Sequence, residues 1–167
     1  LPPKALKKLG ESFAAALTAS LRSQGLLDAG SAATPYASPR RLAVHVTAVA
    51  ARAADKAVQQ TLMPVSVALD ALGQPTFLDS VVPGATLAEG LQTALEAALT
   101  GLPIPKVMSY QLADGWSSVN FVRPAHRLVA LHGADVVPVS VLGLQAGRET
   151  LGHRFEATHP VVSIKDA

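Results

Sequence analysis

The stretch Leu102-Pro103-Ile104-Pro105-Lys106 cuts off a pattern that would otherwise run on as one long helix. Pro103 and Pro105 remove two backbone donors, and each holds the residue before it, Leu102 and Ile104, extended. Just upstream, Thr86-Leu87-Ala88-Glu89 has the spacing of a capping box, a hydroxyl for orphan amides and a carboxylate reaching back, and Leu87, Leu91, Leu95 and Leu99 follow at helical spacing. A helix ending at Gly101, then a rigid connector, is the prediction. An earlier helix is predicted after Pro2-Pro3, where Leu6, Leu9, Phe13, Leu17 and Leu21 recur at spacings of three and four, with Gly25 as its stop.

Elsewhere the apolar period is two. From Arg41 onward Leu42, Val44 and Val46 alternate with Ala43, His45 and Thr47, which predicts a half-buried strand with His45 on its polar face. A short strand is expected around Val58 to Leu62, before Pro64 interrupts pairing. Val119 to Val122, Arg127 to His132 and Val136 to Leu142 read as strands, the last two joined as a hairpin at Gly133-Ala134-Asp135. The Ala-rich patches near 29–33 and 48–54 read as loops or helix surface. Helices and strands do not alternate regularly, so the expected class is α+β, a largely antiparallel sheet flanked by amphipathic helices. Residues 1–76 hold the first helix plus strands and residues 77–167 the capped helix plus a strand-rich region; together they can form one continuous α+β domain.

A chain of 167 residues can bury roughly 70% of its unfolded surface, enough for a proper core. Aromatic residues are only 4%, which argues against a broad base-stacking platform. The net charge of +2 is far below that of a dedicated nucleic-acid domain, so any RNA contact has to be local. No cysteine is present, which excludes disulfides and thiolate metal sites and fits a reducing compartment. Without an apolar run of about 18 residues or a signal-peptide pattern, a soluble, cytoplasmic protein with no membrane partner is expected. The first residue is Leu1 rather than Met, which suggests a fragment of a longer chain.

The candidate chemistry is sparse. His126 with His132, or His153 with His159, could begin a metal site, but neither pair has the helical i, i+4 spacing and no carboxylate follows a ligand pattern. Ser109, Ser117, Ser140, His126 and Asp114 leave a hydrolase open as the alternative class, alongside a free-standing binding domain, although no Gly-x-Ser-x-Gly elbow specifies a nucleophile. No Gly-rich phosphate loop or paired acidic signature for magnesium is found. Arg40 and Arg41 begin a strand, Arg123 and Arg127 flank Pro124-Ala125-His126, and Arg148, His153 and Arg154 occupy a Gly-punctuated loop. Guanidinium groups at such places can grip phosphates or pin loops through carbonyls and carboxylates. Trp116, after Asp114-Gly115 in an expected turn, suits a packing lid or subunit contact better than base stacking.

Five blocks occur in order along the chain: Leu1-Pro2-Pro3-Lys4-Ala5-Leu6, Ser38-Pro39-Arg40-Arg41-Leu42-Ala43, Leu102 to Lys106, Val122-Arg123-Pro124-Ala125-His126, and Gly152-His153-Arg154-Phe155. In this series the chain resembles the amino-terminal part of the bacterial glycyl-tRNA synthetase β subunit. The resemblance implies a non-catalytic segment of a glycine–tRNA ligase heterotetramer. ATP and magnesium would be used by the α subunit, with no cofactor here, and the partners would be that α subunit and tRNA(Gly). Departures are Val107 and Ser109 where a basic residue is common, Tyr110 where Trp is frequent, and Glu156 where His is common. Gly73-Gln74-Pro75-Thr76 matches a turn after which the family carries a further segment, so Thr76 and Phe77 are expected to lie farther apart than the roughly 3.8 Å of a trans peptide.

Overall fold

The first helix, α1 (Pro3–Ser23), buries Leu9, Phe13, Leu17 and Leu21 along one face and exposes Lys7, Lys8, Glu11 and Arg22 on the other. This computed structural model describes residues 3–61, 77–104, 106–152, 155 and 157–167. Gly25, at φ +77°, stops α1. The amide of Gly25 donates to Arg22 O and that of Leu26 to Leu21 O, both at 3.0 Å, the paired bonds of a Schellman turn. The turn drives Leu26, only 1% exposed, back into the core beside Leu21.

β1 (Ala33–Ser38) and β2 (Arg41–Val46) form an antiparallel hairpin closed at Pro39-Arg40, in register from Ser38↔Arg41 to Ala33↔Val46. β2 has the expected alternation, with Leu42, Val44 and Val46 half-buried and His45 exposed. β1 falls partly in an Ala-rich patch expected to be loop or helix surface. It is an edge strand, where Pro35 costs no ladder bond. The hairpin packs on α1 at Gly10, where an added Cβ would lie 3.0 Å from Ala37 Cβ.

An extended segment then ties the two helices. Ala50 N donates to Leu26 O at 3.0 Å, Ala53 N to Ala85 O at 3.0 Å, and Leu87 N to Ala51 O at 2.9 Å. Backbone approach is so close at Gly84 that a Cβ would fall 1.9 Å from Ala53 O. Beyond this point β3 (Lys56–Thr61) and β4 (Phe77–Val82) pair antiparallel as an arm. β3 matches the strand expected near Val58. The Thr76–Phe77 separation lies outside the described residues.

α2 (Leu87–Thr100) begins with the capping box expected from Thr86 and Glu89. Glu89 N donates to Thr86 Oγ1 at 3.4 Å, and Thr86 N donates to Glu89 Oε2 at 3.2 Å. Gly101 is its C-cap, at φ −82° rather than in the left-handed region. The stop therefore comes from Pro103, which cannot supply the next helical donor. The buried side of α2 carries small residues: Ala94 and Ala98 are fully buried, and a Cβ on Gly90 would lie 2.2 Å from Leu26 Cδ1.

The remaining strands are short: β5 (Met108–Gln111), β6 (Ser118–Phe121), β7 (Leu128–Val129), β8 (Leu131–His132), β9 (Asp135–Val136), β10 (Ser140–Val141), β11 (Leu144–Gly147), β12 (Glu149–Leu151) and β13 (Val161–Ser163). Among the described residues all strand pairs are antiparallel except β11 with β7, giving an α+β fold of several small ladders. The single strands expected over Arg127–His132 and Val136–Leu142 are each divided. Pro138 causes the second division, because Val139 N turns back to Val137 O at 2.9 Å while Val137 N reaches Ala130 O at 3.0 Å. The Gly133 turn joins β8 to β9 as expected, with φ +58°. Val137 and Val139 are buried in the same cluster as Leu9, Phe13, Leu26, Leu95 and Ala98.

The cap yields a test with a pH signature. The Thr86 hydroxyl, and then its amide, hold the Glu89 carboxyl below its ordinary value of 4.5. The resulting stabilisation is fully present above 4.5 and is lost as pH falls through the lower folded value. Thr86→Ala is expected to lower unfolding stability by about 1 kcal/mol near neutral pH. In denaturant titrations the gap from the unaltered protein should narrow as the pH is taken below 4.5.

Candidate functional site

Three of the arginines singled out by sequence have acceptors within the chain, two of them on β12. Arg41, the first residue of β2, donates from its guanidinium to the carbonyl of Leu151, tying the first hairpin to a strand 110 positions later. Arg127, just before β7, pairs with Glu149 at 3.6 Å. Arg148 donates to Ala134 O at 2.9 Å, and so holds the β8–β9 turn against the start of β12. Glu149 was not among the sequence candidates, and no local pattern marks it, because its partner Arg127 is distant in sequence.

Arg40, Arg123 and His126 are different. All three are exposed, and among the described residues their side chains make no hydrogen bond or ion pair. Arg40 stands at the tip of the β1–β2 hairpin, while Arg123 and His126 lie in the segment between β6 and β7. His153 and Arg154 fall outside the described residues. His132 Nε2 is satisfied by Val49 O at 2.8 Å, and among the described residues no three metal-binding side chains come together.

Of the serines of the hydrolase alternative, Ser109 engages its hydroxyl, while Ser117 and Ser140 engage their backbone amides. Ser109 bonds Asn120, Ser117 N donates to Asp114 Oδ1 at 2.9 Å, and Ser140 N donates to Gln92 Oε1 at 2.8 Å. Ser117 and then the Trp116 amide hold the Asp114 carboxyl below its ordinary value. That carboxylate organises the β5–β6 turn with Gly115 at φ +77°. Trp116 at the tip is 93% exposed, so it is no lid on this chain's core.

Gly152, the first residue of the Gly-His-Arg-Phe block, has a steric reason. A Cβ there would meet Ala157 Cβ at 2.5 Å and His159 O at 2.7 Å, because residues 157–160 close over it with Gly152 N donating to Pro160 O at 3.0 Å.

The fold is thus an α+β scaffold in which Arg41, Arg127 and Arg148 reach distant acceptors, while Arg40, Arg123 and His126 engage none among the described residues. A family model described as glycyl-tRNA synthetase beta subunit matches residues 1–80 and 76–167, and the chain belongs to that family. The glycine–tRNA ligase β subunit of Leptothrix cholodnii is 61% identical over 198 aligned positions, covering all of this chain and 28% of the relative. That of Dechloromonas aromatica is 61% identical, covering 97% of this chain and 28% of its own length. For Paracidovorax citrulli the identity is 54%, with coverage of 100% and 29%. The chain therefore spans little more than a quarter of these relatives, at their N-terminal end. The two pieces of the family match meet at residues 76–80, and 198 aligned positions exceed the 167 residues here, so the relatives carry positions that this chain lacks.

Gly152→Ala is expected to destabilise by about 1–3 kcal/mol through overpacking. Faster hydrogen exchange confined to β12, β13 and the loop between them is the readout; unchanged exchange there would contradict the steric account.

Proposed function

We propose that this chain is the non-catalytic amino-terminal segment of the β subunit of a cytoplasmic glycine–tRNA ligase, an α/β heterotetramer. In this reading ATP and magnesium serve glycine activation on the α subunit, and the segment supports assembly and touches tRNA(Gly). Family membership along the whole chain is the observation that carries the proposal. The division among the arginines gives it residue detail. Arg41, Arg127 and Arg148 already have protein acceptors, whereas Arg40 and Arg123 have none among the described residues. An exposed guanidinium without an internal acceptor meets a phosphate without breaking a bond in its own protein.

Two groups of variants in the complete α/β enzyme separate the roles. Arg40→Ala and Arg123→Ala together are expected to weaken tRNA binding and to reduce the slope of log K against log salt by roughly 0.7–0.9 for each phosphate that is no longer neutralised. Their melting temperature should match that of the parent enzyme. Arg127→Ala should cost stability, by about 0.2–1 kcal/mol for an exposed pair, with tRNA affinity unchanged. Equal tRNA affinity in the double variant would remove the phosphate role.

A companion assay addresses catalysis. The 167-residue chain, given glycine, ATP, magnesium and pyrophosphate but no α subunit, is expected to show no pyrophosphate exchange. Exchange above background would overturn the assignment of activation to the partner.

A further inference from the structure

The outer face of the β1–β2 hairpin carries an aromatic ring that the fold does not use. Ala37 and Pro35 lie against Gly10 of α1, and their cross-strand partners Leu42 and Val44 join the core, so this side of the ladder is the inner one. The other side presents Thr34 with His45, Tyr36 with Ala43, and Ser38 with Arg41. All six are exposed, Tyr36 to 57%. Ala43, directly opposite Tyr36, is too small to cover the ring, and the diagonal positions, about 7–8 Å away, are His45 and Arg41. Among the described residues the Tyr36 hydroxyl has no hydrogen-bond partner. The ribbon itself is held: Gly10 lets it sit close against α1, and Arg41 grips the Leu151 carbonyl. At the tip the Arg40 amide donates to Ser38 Oγ at 3.4 Å, which leaves the guanidinium pointing from a fixed turn.

We propose that this face takes one unpaired nucleotide of an RNA, the base stacked on the Tyr36 ring and an adjoining phosphate met by Arg40. Charge chooses the occupant. Residues 33–46 contain Arg40, Arg41 and His45 and no acidic residue. Residues 1–46 carry six Lys and Arg against two acidic residues, one of which, Glu11, is paired with Lys7 at 3.8 Å; the remaining 121 residues carry eight against ten. A polyanion is therefore drawn to this end of the chain. Stacking on a side chain requires a base that has left its helix, since a base within an RNA duplex keeps its faces against its neighbours. Trp116 is the more exposed ring, at 93%, but no basic residue lies between 107 and 122 and the Asp114 carboxylate is two positions away. Exposure alone would favour Trp116; the requirement for a nearby phosphate partner favours Tyr36. The inference rests on the reading that this segment touches tRNA(Gly), and adds to it the stacking ring and the unpaired state of the nucleotide.

Equilibrium binding of tRNA(Gly) to the complete α/β enzyme tests it. Tyr36→Ala is expected to weaken binding roughly 5- to 150-fold, the range for loss of one aromatic–base stack, with the slope of log K against log salt unchanged because no charge is removed. Tyr36→Phe, which keeps the ring, and Trp116→Ala should both bind as the parent does. Unchanged affinity in Tyr36→Ala would overturn the stacking and leave the tRNA reading standing or falling with the Arg40 and Arg123 double variant. A loss shared by Tyr36→Phe would also defeat it, since the hydroxyl and not the ring would then matter, as would an equal loss in Trp116→Ala. Impaired subunit assembly in Tyr36→Ala would assign the face to the α subunit instead. Should that variant not fold, ultraviolet cross-linking of the unsubstituted enzyme to tRNA(Gly) gives the decision. The tryptic peptide 23–40, whose one aromatic residue is Tyr36, is expected to carry a nucleotide from an unpaired position. Attachment only to base-paired nucleotides, or no attachment in that peptide, counts against the proposal.

Discussion

The structure hangs on the place where Leu26 enters α2. Gly25 takes the left-handed conformation, and the chain leaving α1 turns so that Leu26 lands over Gly90. Gln24 adds a bond from Nε2 to Gly90 O at 3.1 Å. Any side chain on Gly90 would displace Leu26, so the absence of a Cβ there sets how closely the helices approach. The extended segment carrying Ala50 and Ala53 is then hydrogen-bonded to Leu26 on one side and to Ala85 on the other. One turn thus fixes α1, α2 and the connection between them.

Elements whose signals are local were readable without coordinates. α1 and α2 have strong helical periodicity, the Thr86–Glu89 box contains both reciprocal partners, and β2 alternates over its whole length. The harder elements depend on distant partners. β1 is a strand because β2 offers it a ladder, not because Ala33-Thr34-Pro35-Tyr36 prefers to be one. The strand pieces after residue 127 are two to four residues long, too short to show a period. Pro138 was the visible warning that Val136–Leu142 could not remain one strand.

The candidate site divides along the same line. That guanidinium groups at strand ends would either pin or bind was legible; which of them pins was not, because the acceptors are far away in sequence. Arg41 and Leu151 are 110 positions apart, and the acceptor is a backbone carbonyl, which no residue type announces. Gly152 belongs to the same class: its requirement comes from Ala157 and His159 closing over it.

Exposed basic groups can still be well placed when their backbone is held. Tyr110 Oη accepts a bond from Ala125 N at 3.3 Å, between Arg123 and Arg127 in sequence. Nearby, the Leu112 side chain packs where Gly143 has no Cβ, seating the β5–β6 hairpin on the β10–β11 turn. Tyr110 stands where the family resemblance leads one to expect Trp. An indole N–H can donate but cannot accept from an amide, so this particular tie depends on the phenol oxygen. Backbone anchoring of this kind positions the segment bearing Arg123 and His126 while leaving both side chains open to solvent.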